Sequence, residues 1–347
     1  MSGSSSTALI TGISGQDGAL LAAHLLHQGM NVIGTHRPGG APDVWRLREL
    51  GVVANPRLRL VALDPLDPHA CVDCVAAVAP DALFHLAGQS RVADSFRDPR
   101  GSIAANGTST INLLEAVRTQ ASQAHFVLAS SAEIFGEPAH SPQNETTPVA
   151  ARSPYGLSKL IAHGAVGSWR ASFGVRASSA ILFNHESSLR DEAFVTRKLS
   201  RAVARIELGR ETAIALGNLD ARRDFGYAPD HVAAMAAMAL RAQGDDFVLA
   251  TGIASSIREF ATAAFAAAGI AIDWFGEGVD EVGVEHGSER VRVRVDPAFF
   301  RPIDAPLLVG DAAKARRELG FASTFDLAGL ARHMVEADGA RERNPTT

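Results

Sequence analysis

Short apolar runs alternate with helical patterns through the first half of the chain, and this alternation restricts its fold more than any other feature. Segments such as Gly18–Gln28, Pro68–Val78 and Ser102–Arg118 repeat apolar residues at helical spacing, so we predict helices there. Alternating strands and helices produce a parallel sheet covered by helices on both faces. The sequence therefore predicts an α/β protein with a doubly wound parallel sheet. The predicted strands are Ala8–Thr11, Asn31–Thr35, Leu58–Ala62, Ala82–Leu86, His125–Ala129 and Val175–Leu182.

The pattern becomes irregular after about residue 183, where helical segments are separated by short strands. We predict a smaller α/β lobe there, interleaved with the sheet domain. On this reading the sheet domain spans residues 7–182, with returning segments near 217–252, and a substrate-binding lobe spans residues 183–340. The helices predicted in this part are Glu192–Leu208, Asp230–Arg241 and Ile257–Ala268.

A glycine-rich turn joins the first predicted strand to its helix, with the spacing GxxGxxG. Glycine allows a tight turn and lets a pyrophosphate approach backbone N–H groups at a helix N-terminus. The position between a strand and an amphipathic helix gives the motif its weight, and it indicates a Rossmann-type dinucleotide site. The residues expected to contact the cofactor in this turn are Gly12, Gly15, Gln16, Asp17 and Gly18.

Arg37 follows the second strand, about twenty residues past the glycines, where NAD enzymes usually offer a carboxylate to the ribose 2′-OH. A guanidinium suits a 2′-phosphate instead, so NADP is the favoured cofactor. The alternative is that Arg37 is an ordinary solvated loop residue. Asp64, after the third strand, either reaches the adenine edge or forms a turn, and the sequence leaves both open.

A polar loop follows the fourth strand, at the carboxyl edge of the sheet, where doubly wound folds bind their ligands. We expect Leu86 and Ala87 to lie beside the nicotinamide ribose. Gln89 and Ser90 come next and are expected to face a substrate hydroxyl, unless the segment is only a solvated loop.

Tyr155 and Lys159 are four residues apart in a helix predicted to start near Pro154, so their side chains share one helix face. An adjacent ammonium lowers the pKa of a phenol, which can then act as a base and favours hydride chemistry at a carbinol. Glu133 follows the fifth strand and offers a second base, able to take a proton from carbon. Ser131 stands beside it. Oxidation followed by proton abstraction is a route by which a sugar loses a hydroxyl.

Composition and charge exclude several classes of protein. The chain has 347 residues and a net charge of −5, which gives no reason to expect nucleic acid or an anionic membrane as partner. Cys71 and Cys74 form a single CxxC without a second pair, so we interpret them as reduced structural cysteines and predict no metal. No apolar run reaches transmembrane length, and the first residues lack the pattern of a signal peptide. We therefore expect a cytoplasmic protein.

The long motifs in the second half resemble the GDP-mannose 4,6-dehydratase family, within the extended short-chain dehydrogenase/reductase superfamily. The glycine turn and the Tyr-x-x-x-Lys pair resemble the superfamily, and the resemblance to the family covers about Ala8 to Asp338. The motifs that carry it are Leu182–Arg190, Phe194–Lys198, Leu216–Gly226, Phe300–Pro302 and Leu308–Asp311.

This resemblance implies bound NADP and conversion of GDP-mannose to GDP-4-keto-6-deoxymannose. It implies that Tyr155 takes the proton of the C4 hydroxyl and that Lys159 holds the nicotinamide ribose. Glu133 would remove the C5 proton and assist loss of the C6 hydroxyl, and Ser131 matches a threonine near the C4 oxygen. The positions implied for the GDP-sugar, beyond Gln89 and Ser90, are Asn184, Val195, Lys198, Arg223, Arg301 and Asp304.

Several positions depart from the family pattern. The segment after Arg37 lacks the second arginine and the serine-rich loop that support the family's tetramer, so a homodimer through paired helices is expected and a tetramer stays open. Ala132 replaces a serine, Ser188 a proline, Phe225 a tryptophan and Tyr227 a histidine. We interpret these four as lying near the sugar or the guanine. Three alternatives follow: a GDP-manno-heptose dehydratase, a GDP-sugar reductase or epimerase, and a non-catalytic NADP-binding regulator.

Overall fold

The computed structural model describes residues 6–299 and 307–344. The strands are β1 (Thr7–Thr11), β2 (Asn31–His36), β3 (Leu58–Ala62), β4 (Ala82–His85), β5 (His125–Ala129), β6 (Ala177–Leu182), β7 (Asn184–Glu186), β8 (Ile214–Leu216), β9 (Arg222–Tyr227), β10 (Asp246–Leu249), β11 (Ala254–Ser256), β12 (Ile272–Phe275), β13 (Val282–Glu285) and β14 (Val291–Val295). The helices are α1 (Gln16–His27), α2 (Trp45–Glu49), α3 (Pro68–Val78), α4 (Val92–Arg97), α5 (Pro99–Ile103), α6 (Ser109–Gln120), α7 (Pro154–Phe173), α8 (Val195–Glu207), α9 (Ala228–Ala239), α10 (Ile257–Ala267), α11 (Ala313–Leu319) and α12 (Leu327–Arg343).

Seven parallel strands form the main sheet, in the order β10-β6-β5-β4-β1-β2-β3. Both faces of β1 are buried, because Ala8 and Ile10 pack with α1 and α9 whereas Leu9 packs with α3, α6 and α7. Successive strand residues point to opposite faces, so a sheet buried on both sides needs nearly continuous apolar strands. The predicted doubly wound α/β fold is confirmed.

The helix predicted over Ser102–Arg118 has different bounds and an interruption. Pro99 occupies the first helical turn of α5, and the Asp98 side chain caps that helix by accepting a hydrogen bond from Gly101 N at 2.8 Å. The segment Ala104–Thr108 is then a π-helical turn, before α6 begins. Proline and a capping aspartate explain the earlier start.

The chain divides into two compact units. The first contains the described residues up to Phe183, together with Ala228–Ala250 and Gly310–Ala322. From the sequence, the last of these segments is expected in the substrate-binding lobe. In the structure, Ala312, Ala315 and Phe321 are buried in the core of the first unit with α1 and α9, so the segment belongs there.

The second unit contains the described residues of Asn184–Tyr227 and Thr251–Val309 and those from Ser323 onward. It has a three-stranded sheet of order β11-β9-β7 and a four-stranded sheet of order β12-β13-β14-β8. Its core joins α8, α10 and α12, with fully buried residues such as Leu199, Phe260 and Met334.

In the described parts of the chain, no helix is both long and apolar enough to cross a membrane.

Candidate active site

The glycine turn of the first unit is packed so closely that side chains would not fit. Gly12 has a φ of +77°, and a Cβ there would lie 2.7 Å from the backbone nitrogen of Ala87. A Cβ on Gly18 would lie 2.2 Å from the carbonyl oxygen of Gly12. Gly15 is the N-cap of α1 and contributes no side-chain cap, and Gln16 and Asp17 follow it in the first turn. The turn thus presents a helix N-terminus beside the Leu86–Ala87 loop, a geometry that suits a diphosphate.

Thr11 and His85, at the ends of neighbouring strands β1 and β4, hold this loop. The Thr11 Oγ1 atom accepts hydrogen bonds from Leu86 N and Ala87 N, both at 3.2 Å, and lies 2.7 Å from His85 Nδ1. Burial, followed by the charge of Lys159, lowers the pKa of His85 to about 3, so the ring is neutral. The Thr11 hydroxyl therefore donates to Nδ1, and Nε2–H donates to Ser109 Oγ at 3.0 Å.

Tyr155 and Lys159 lie in the first two turns of α7, and both are more than nine-tenths buried. Ser153 caps this helix by accepting from Gly156 N at 2.9 Å, and Ser95 Oγ accepts from Tyr155 N at 3.0 Å. The Lys159 ammonium donates to the Ala129 carbonyl at 2.8 Å and lies 6.0 Å from the centre of the Tyr155 ring. Burial lowers the pKa of Lys159 to about 8. The expected pair is therefore brought together at the end of β5.

Ser131 and Glu133 follow β5 in a 3-10 turn that packs against the start of α7. The Ser131 hydroxyl accepts from Glu133 N at 3.3 Å and caps this turn. A Cβ on Gly156 would lie 2.7 Å from the Glu133 carbonyl oxygen, so only glycine allows this approach. Glu133 is thus fixed, through its backbone, beside the residue that follows Tyr155. Its side chain is half-buried, and the neighbouring Ala132 is buried.

The loop that carries Gln89 is held by Asn106, from the π-helical turn. Asn106 Oδ1 accepts from Gln89 N at 3.0 Å, and Nδ2 donates to Gln89 O at 3.1 Å and to Ser158 Oγ at 2.7 Å. Ser158 in turn donates to the Tyr155 carbonyl at 2.7 Å. The amide thereby joins the expected substrate loop to the tyrosine helix. The Oε1 atom of Gln89 is buried and, among the described residues, has no hydrogen-bond partner.

The remaining expected residues of the first unit lie on its surface. Arg37 and Ser90 are exposed. Asp64 is exposed too, and its Oδ1 accepts from Leu66 N at 3.0 Å, which forms the turn considered for it. This turn uses one carboxylate oxygen, so a contact with adenine stays a prediction.

The two cysteines lie on α3, and Cys71 is buried. Burial raises the pKa of Cys71 to about 12 and also raises that of Cys74, so both thiols are protonated and unreactive near neutral pH. Among residues 6–299 and 307–344, no group of three or more metal-binding side chains occurs.

The second unit contains the described residues expected at the nucleotide. Asn184 begins β7, Val195 begins α8, and Arg223 lies in β9. Lys198, one turn into α8, donates to the Ala215 carbonyl at 2.7 Å, and its ammonium lies 3.8 Å from the centre of the Phe299 ring. Burial lowers the pKa of Lys198. Arg301 and Asp304 fall outside the described residues.

Two of the four departures from the family pattern pack against other rings of the second unit. Phe225 is buried, with its ring 5.7 Å from that of Phe260 in the core of the second unit. Tyr227 is half-buried and packs edge-on against Phe325 and His333, at 4.8 and 5.3 Å between ring centres. These contacts fix one side of each ring, and a position near the sugar or the guanine stays a prediction.

Sequence reasoning missed Thr11, Ser95 and Asn106, and gave His85 no role of its own. A signal for two of them existed, because Thr11 and His85 are polar residues that end otherwise apolar strands. Asn106 and Ser95 gave none, since their partners lie far away along the chain.

Comparison with known proteins identifies relatives over nearly the whole length. The model of the family described as GDP-mannose 4,6 dehydratase matches residues 9–334. A GDP-mannose 4,6-dehydratase from Sinorhizobium fredii is 40% identical over 336 residues, which cover 95% of this chain and 96% of the relative. The human GDP-mannose 4,6 dehydratase is 40% identical over 339 residues, with 95% and 91% covered. The structure of RMD from Pseudomonas aeruginosa complexed with NADPH has a TM-score of 0.74 at 23% identity, covers 97% of this chain and 100% of its own, and shares the fold.

Proposed function

Since the chain belongs to the GDP-mannose 4,6-dehydratase family, we propose that it is a hydro-lyase that converts GDP-mannose to GDP-4-keto-6-deoxymannose, with NADP as cofactor. The observation that carries the proposal is the close approach of the Glu133 backbone to Gly156, beside Tyr155. It supports a second base next to the Tyr155–Lys159 pair. Reduction or epimerisation at C4 alone needs no base that removes the C5 proton, so this arrangement favours elimination over those two reactions.

The first unit fits NADP, since the turn at Gly12 leaves room only for backbone next to Ala87. Arg37, exposed after β2, suits the 2′-phosphate. The chemistry that the bound cofactor supplies is acceptance of a hydride from C4 and its return to C6. The residues proposed to hold it are Gly12, Gly15, Gln16, Asp17, Gly18, Arg37, Asp64, Leu86 and Ala87, together with Tyr155 and Lys159.

Tyr155 acts as the base that takes the proton of the C4 hydroxyl. Its phenolate is stabilised by the Lys159 ammonium, which the Ala129 carbonyl orients at 2.8 Å. Ser131 adds a hydroxyl for hydrogen bonding to the C4 oxygen. Gln89, with a buried oxygen that has no partner among the described residues, is suited to accept from a sugar hydroxyl.

Glu133 acts at C5, after C4 has been oxidised to a ketone. The carbonyl at C4 makes the C5 proton acidic, and the Glu133 carboxylate removes it. The same group then returns a proton to the departing C6 hydroxyl, which leaves as water. When C6 receives the hydride, C5 takes a proton from solvent, and Tyr155 releases to solvent the proton that it took from the C4 hydroxyl. A group that serves as base and then as acid must reach both the C5 proton and the C6 oxygen, and the half-buried position of Glu133 leaves its side chain accessible to a bound sugar.

The second unit supplies the nucleotide contacts. Asn184 serves the sugar and diphosphate, Val195 and Lys198 the guanine, and Arg223 the diphosphate, where a planar guanidinium fits phosphate oxygens. Arg301 and Asp304 are proposed for the diphosphate and the guanosine ribose.

We also propose a homodimer formed through α6 and α7. Support comes from apolar side chains on α7 that stay exposed in the single chain, 44% for Leu157 and 55% for Phe173. Sedimentation analysis of the purified protein tests this, and a monomer at micromolar concentration would refute it.

A cytoplasmic location is proposed as well, because two free protonated cysteines suit a reducing compartment. Cell fractionation checks it.

The deciding experiment incubates the purified protein with GDP-mannose and, in parallel, with GDP-manno-heptose, with and without added NADP. We expect a 4-keto product from GDP-mannose, seen by its absorbance in alkali and by a mass lower by one water. Product from the heptose alone would identify the chain as a GDP-manno-heptose dehydratase. The buried Ala132 beside Glu133, which replaces a serine of the family, is the departure that bears on this alternative. No product from either sugar with NADP supplied would overturn the dehydratase proposal.

A further inference from the structure

Asp338, near the end of α12, is a buried carboxylate in the second unit, with 1% of its surface exposed. It forms an ion pair with Arg197 of α8, accepts from Ser200 Oγ at 2.6 Å and accepts from Arg341 Nη1 at 3.1 Å. A buried carboxylate loses the solvation of water and is retained only where charged partners compensate it. Such a cluster contributes little net stability, but it fixes the geometry of the groups that it joins.

Arg341 extends this cluster to the loop between β7 and α8. Its Nη1 donates to the Ser188 carbonyl at 2.8 Å, and its Nη2 lies 3.3 Å from Ser188 Oγ. A planar guanidinium can hold a carboxylate and a peptide oxygen in one orientation, which a flexible ammonium cannot do. Arg341 thereby attaches the loop to α12.

A second buried carboxylate, Glu186, closes the same loop from its other side. It accepts from Thr196 Oγ1 at 2.5 Å and pairs with Arg190 Nε at 3.3 Å. The segment from Asn184 to Lys198 is therefore closed on itself by Glu186 and attached to α12 by Asp338 and Arg341. Three of the described residues proposed to contact the GDP-sugar lie in this one segment.

We propose that Asp338 and Arg341 are positioning residues for the nucleotide. Neither is assigned a contact with the substrate. They act through Arg197 and Ser188, and so hold the segment Asn184–Lys198 in the geometry that GDP requires. This inference rests on the proposed function of that segment as the GDP-binding element.

The same two helices provide a matched control one turn farther on. Glu342 of α12 pairs with Arg201, Arg205 and Arg210, at 3.2, 3.7 and 2.9 Å. Arg205 and Arg210 lie near and beyond the C-terminal end of α8, away from Lys198 and from Ser188. Arg201, in the middle of α8, also pairs with Glu192 of the segment Asn184–Lys198. Loss of the Glu342 carboxylate leaves this pair and the bonds of Arg341 to Ser188 in place, so it weakens the attachment of the two helices without removing a contact of that segment.

The experiment compares Asp338→Asn, Arg341→Lys and Glu342→Gln with the unmodified chain, in the full-length protein with NADP. GDP affinity is measured by calorimetry. Steady-state kinetics with GDP-mannose give kcat and KM, and thermal denaturation reports folding. We expect Asp338→Asn and Arg341→Lys to weaken GDP binding and to raise KM, each by about tenfold, with kcat within about twofold. Glu342→Gln should leave GDP affinity and KM within about twofold of the parent.

The outcomes separate the two proposals. Parental GDP affinity in a folded Asp338→Asn or Arg341→Lys protein would overturn the positioning role, even if the enzyme is a dehydratase. An equal effect of Glu342→Gln would overturn it too, because the effect would then reflect general helix attachment. If Asp338→Asn does not fold, Arg341→Lys alone decides, since it keeps the positive charge. GDP binding without turnover in the unmodified chain would overturn the proposed function and leave the positioning test intact, and absence of GDP binding would overturn both.

Discussion

In the first unit, the side chains that hold Tyr155 and the substrate loop are uncharged, whereas in the second unit arginine–carboxylate pairs hold the nucleotide segment. Thr11, a neutral His85 and Asn106 position the loops around the reacting centre. Asp338 holds α8 through Arg197. With a neutral scaffold, the charge of Asp17 is the one that acts on the buried Lys159 ammonium among the described residues, and it raises the pKa that burial lowers. A charged scaffold suits a unit that is proposed to hold a diphosphate in place.

The largest effect is expected at Glu133, a carboxylate that lies beside the uncharged side chains of the first unit. Glu133→Gln keeps the shape and the hydrogen-bonding capacity but removes the base, so we expect kcat to fall by about 10³-fold while GDP affinity is unchanged. Turnover is followed by 4-keto product and GDP binding by calorimetry. Glu137 lies four residues after Glu133 and is an exposed carboxylate paired with Arg152. Glu137→Gln is therefore the matched control and should keep parental activity. Turnover of Glu133→Gln within tenfold of the parent would exclude Glu133 as the C5 base.

The field of Lys159 predicts a pH dependence. Because burial lowers its pKa to about 8, the ammonium loses its proton as the pH rises through that value and no longer stabilises the phenolate. We expect kcat/KM to fall about tenfold per pH unit above this point. In Lys159→Arg the guanidinium stays protonated, so the decline should move to higher pH on a lower overall rate. A decline at the same pH in both proteins would show that another group causes it.

A neutral contact of the first unit is tested by Asn106→Ala. The change leaves Gln89 and Ser158 without their amide partner, at a cost of about 3 kcal/mol in the free energy of unfolding. We expect kcat/KM to fall about tenfold as the substrate loop loses its position. Asn112→Ala, on α6, removes an amide that donates to the carbonyls of Pro65 and Leu66 and should keep parental kinetics. Equal kinetics of both variants would contradict a positioning role for Asn106.

The smallest predicted effect concerns stability in mild acid. Burial, together with nearby arginines, lowers the pKa of His125 from 6.5 to about 4, so the unfolded chain binds more protons than the folded chain below about pH 6.5. Stability therefore falls with decreasing pH, by about 2 kcal/mol from this residue between pH 7 and pH 5. Burial alone would raise the pKa of Glu342, but Arg201 and Arg210 hold it below its usual value, so that ion cluster persists at pH 5.

Urea unfolding of the parent and of His125→Gln at pH 7 and pH 5 measures this term. The variant should lose about 2 kcal/mol less than the parent between the two pH values. An identical loss in both proteins would place the acid sensitivity outside His125.

The regular elements were predictable because each has a local cause. The strands Leu58–Ala62 and His125–Ala129 and the helix Pro68–Val78 have the bounds that apolar runs and an N-terminal proline indicate. The interruption at Ala104–Thr108 was not predictable, since a π-helical turn is stabilised here by contacts of Asn106 with residues distant in the chain. The placement of Gly310–Ala322 in the first unit was not predictable either, because an apolar pattern does not indicate in which of two cores a segment is buried.

In the candidate site, the sequence identified side chains that carry chemistry but not those that hold them. Tyr155 and Lys159 share a helix face by spacing alone, and the structure brings them together. Ser95 and Asn106 act through hydrogen bonds to residues distant in the chain, which leave no pattern in the sequence. The packing of Phe225 and Tyr227 against other rings was likewise not predictable, since their partners Phe260 and Phe325 lie far along the chain.

The interleaving of the two units has a consequence for synthesis of the chain. The first unit is complete only when Ala322 has been added, after most of the second unit has already been made. Its core needs Ala312, Ala315 and Phe321, so a nascent chain that ends before α11 exposes the apolar surface of α1 and α9 that this segment covers. The core of the first unit is thus completed only after this segment has been synthesised, and a chain shortened before α11 lacks part of that core.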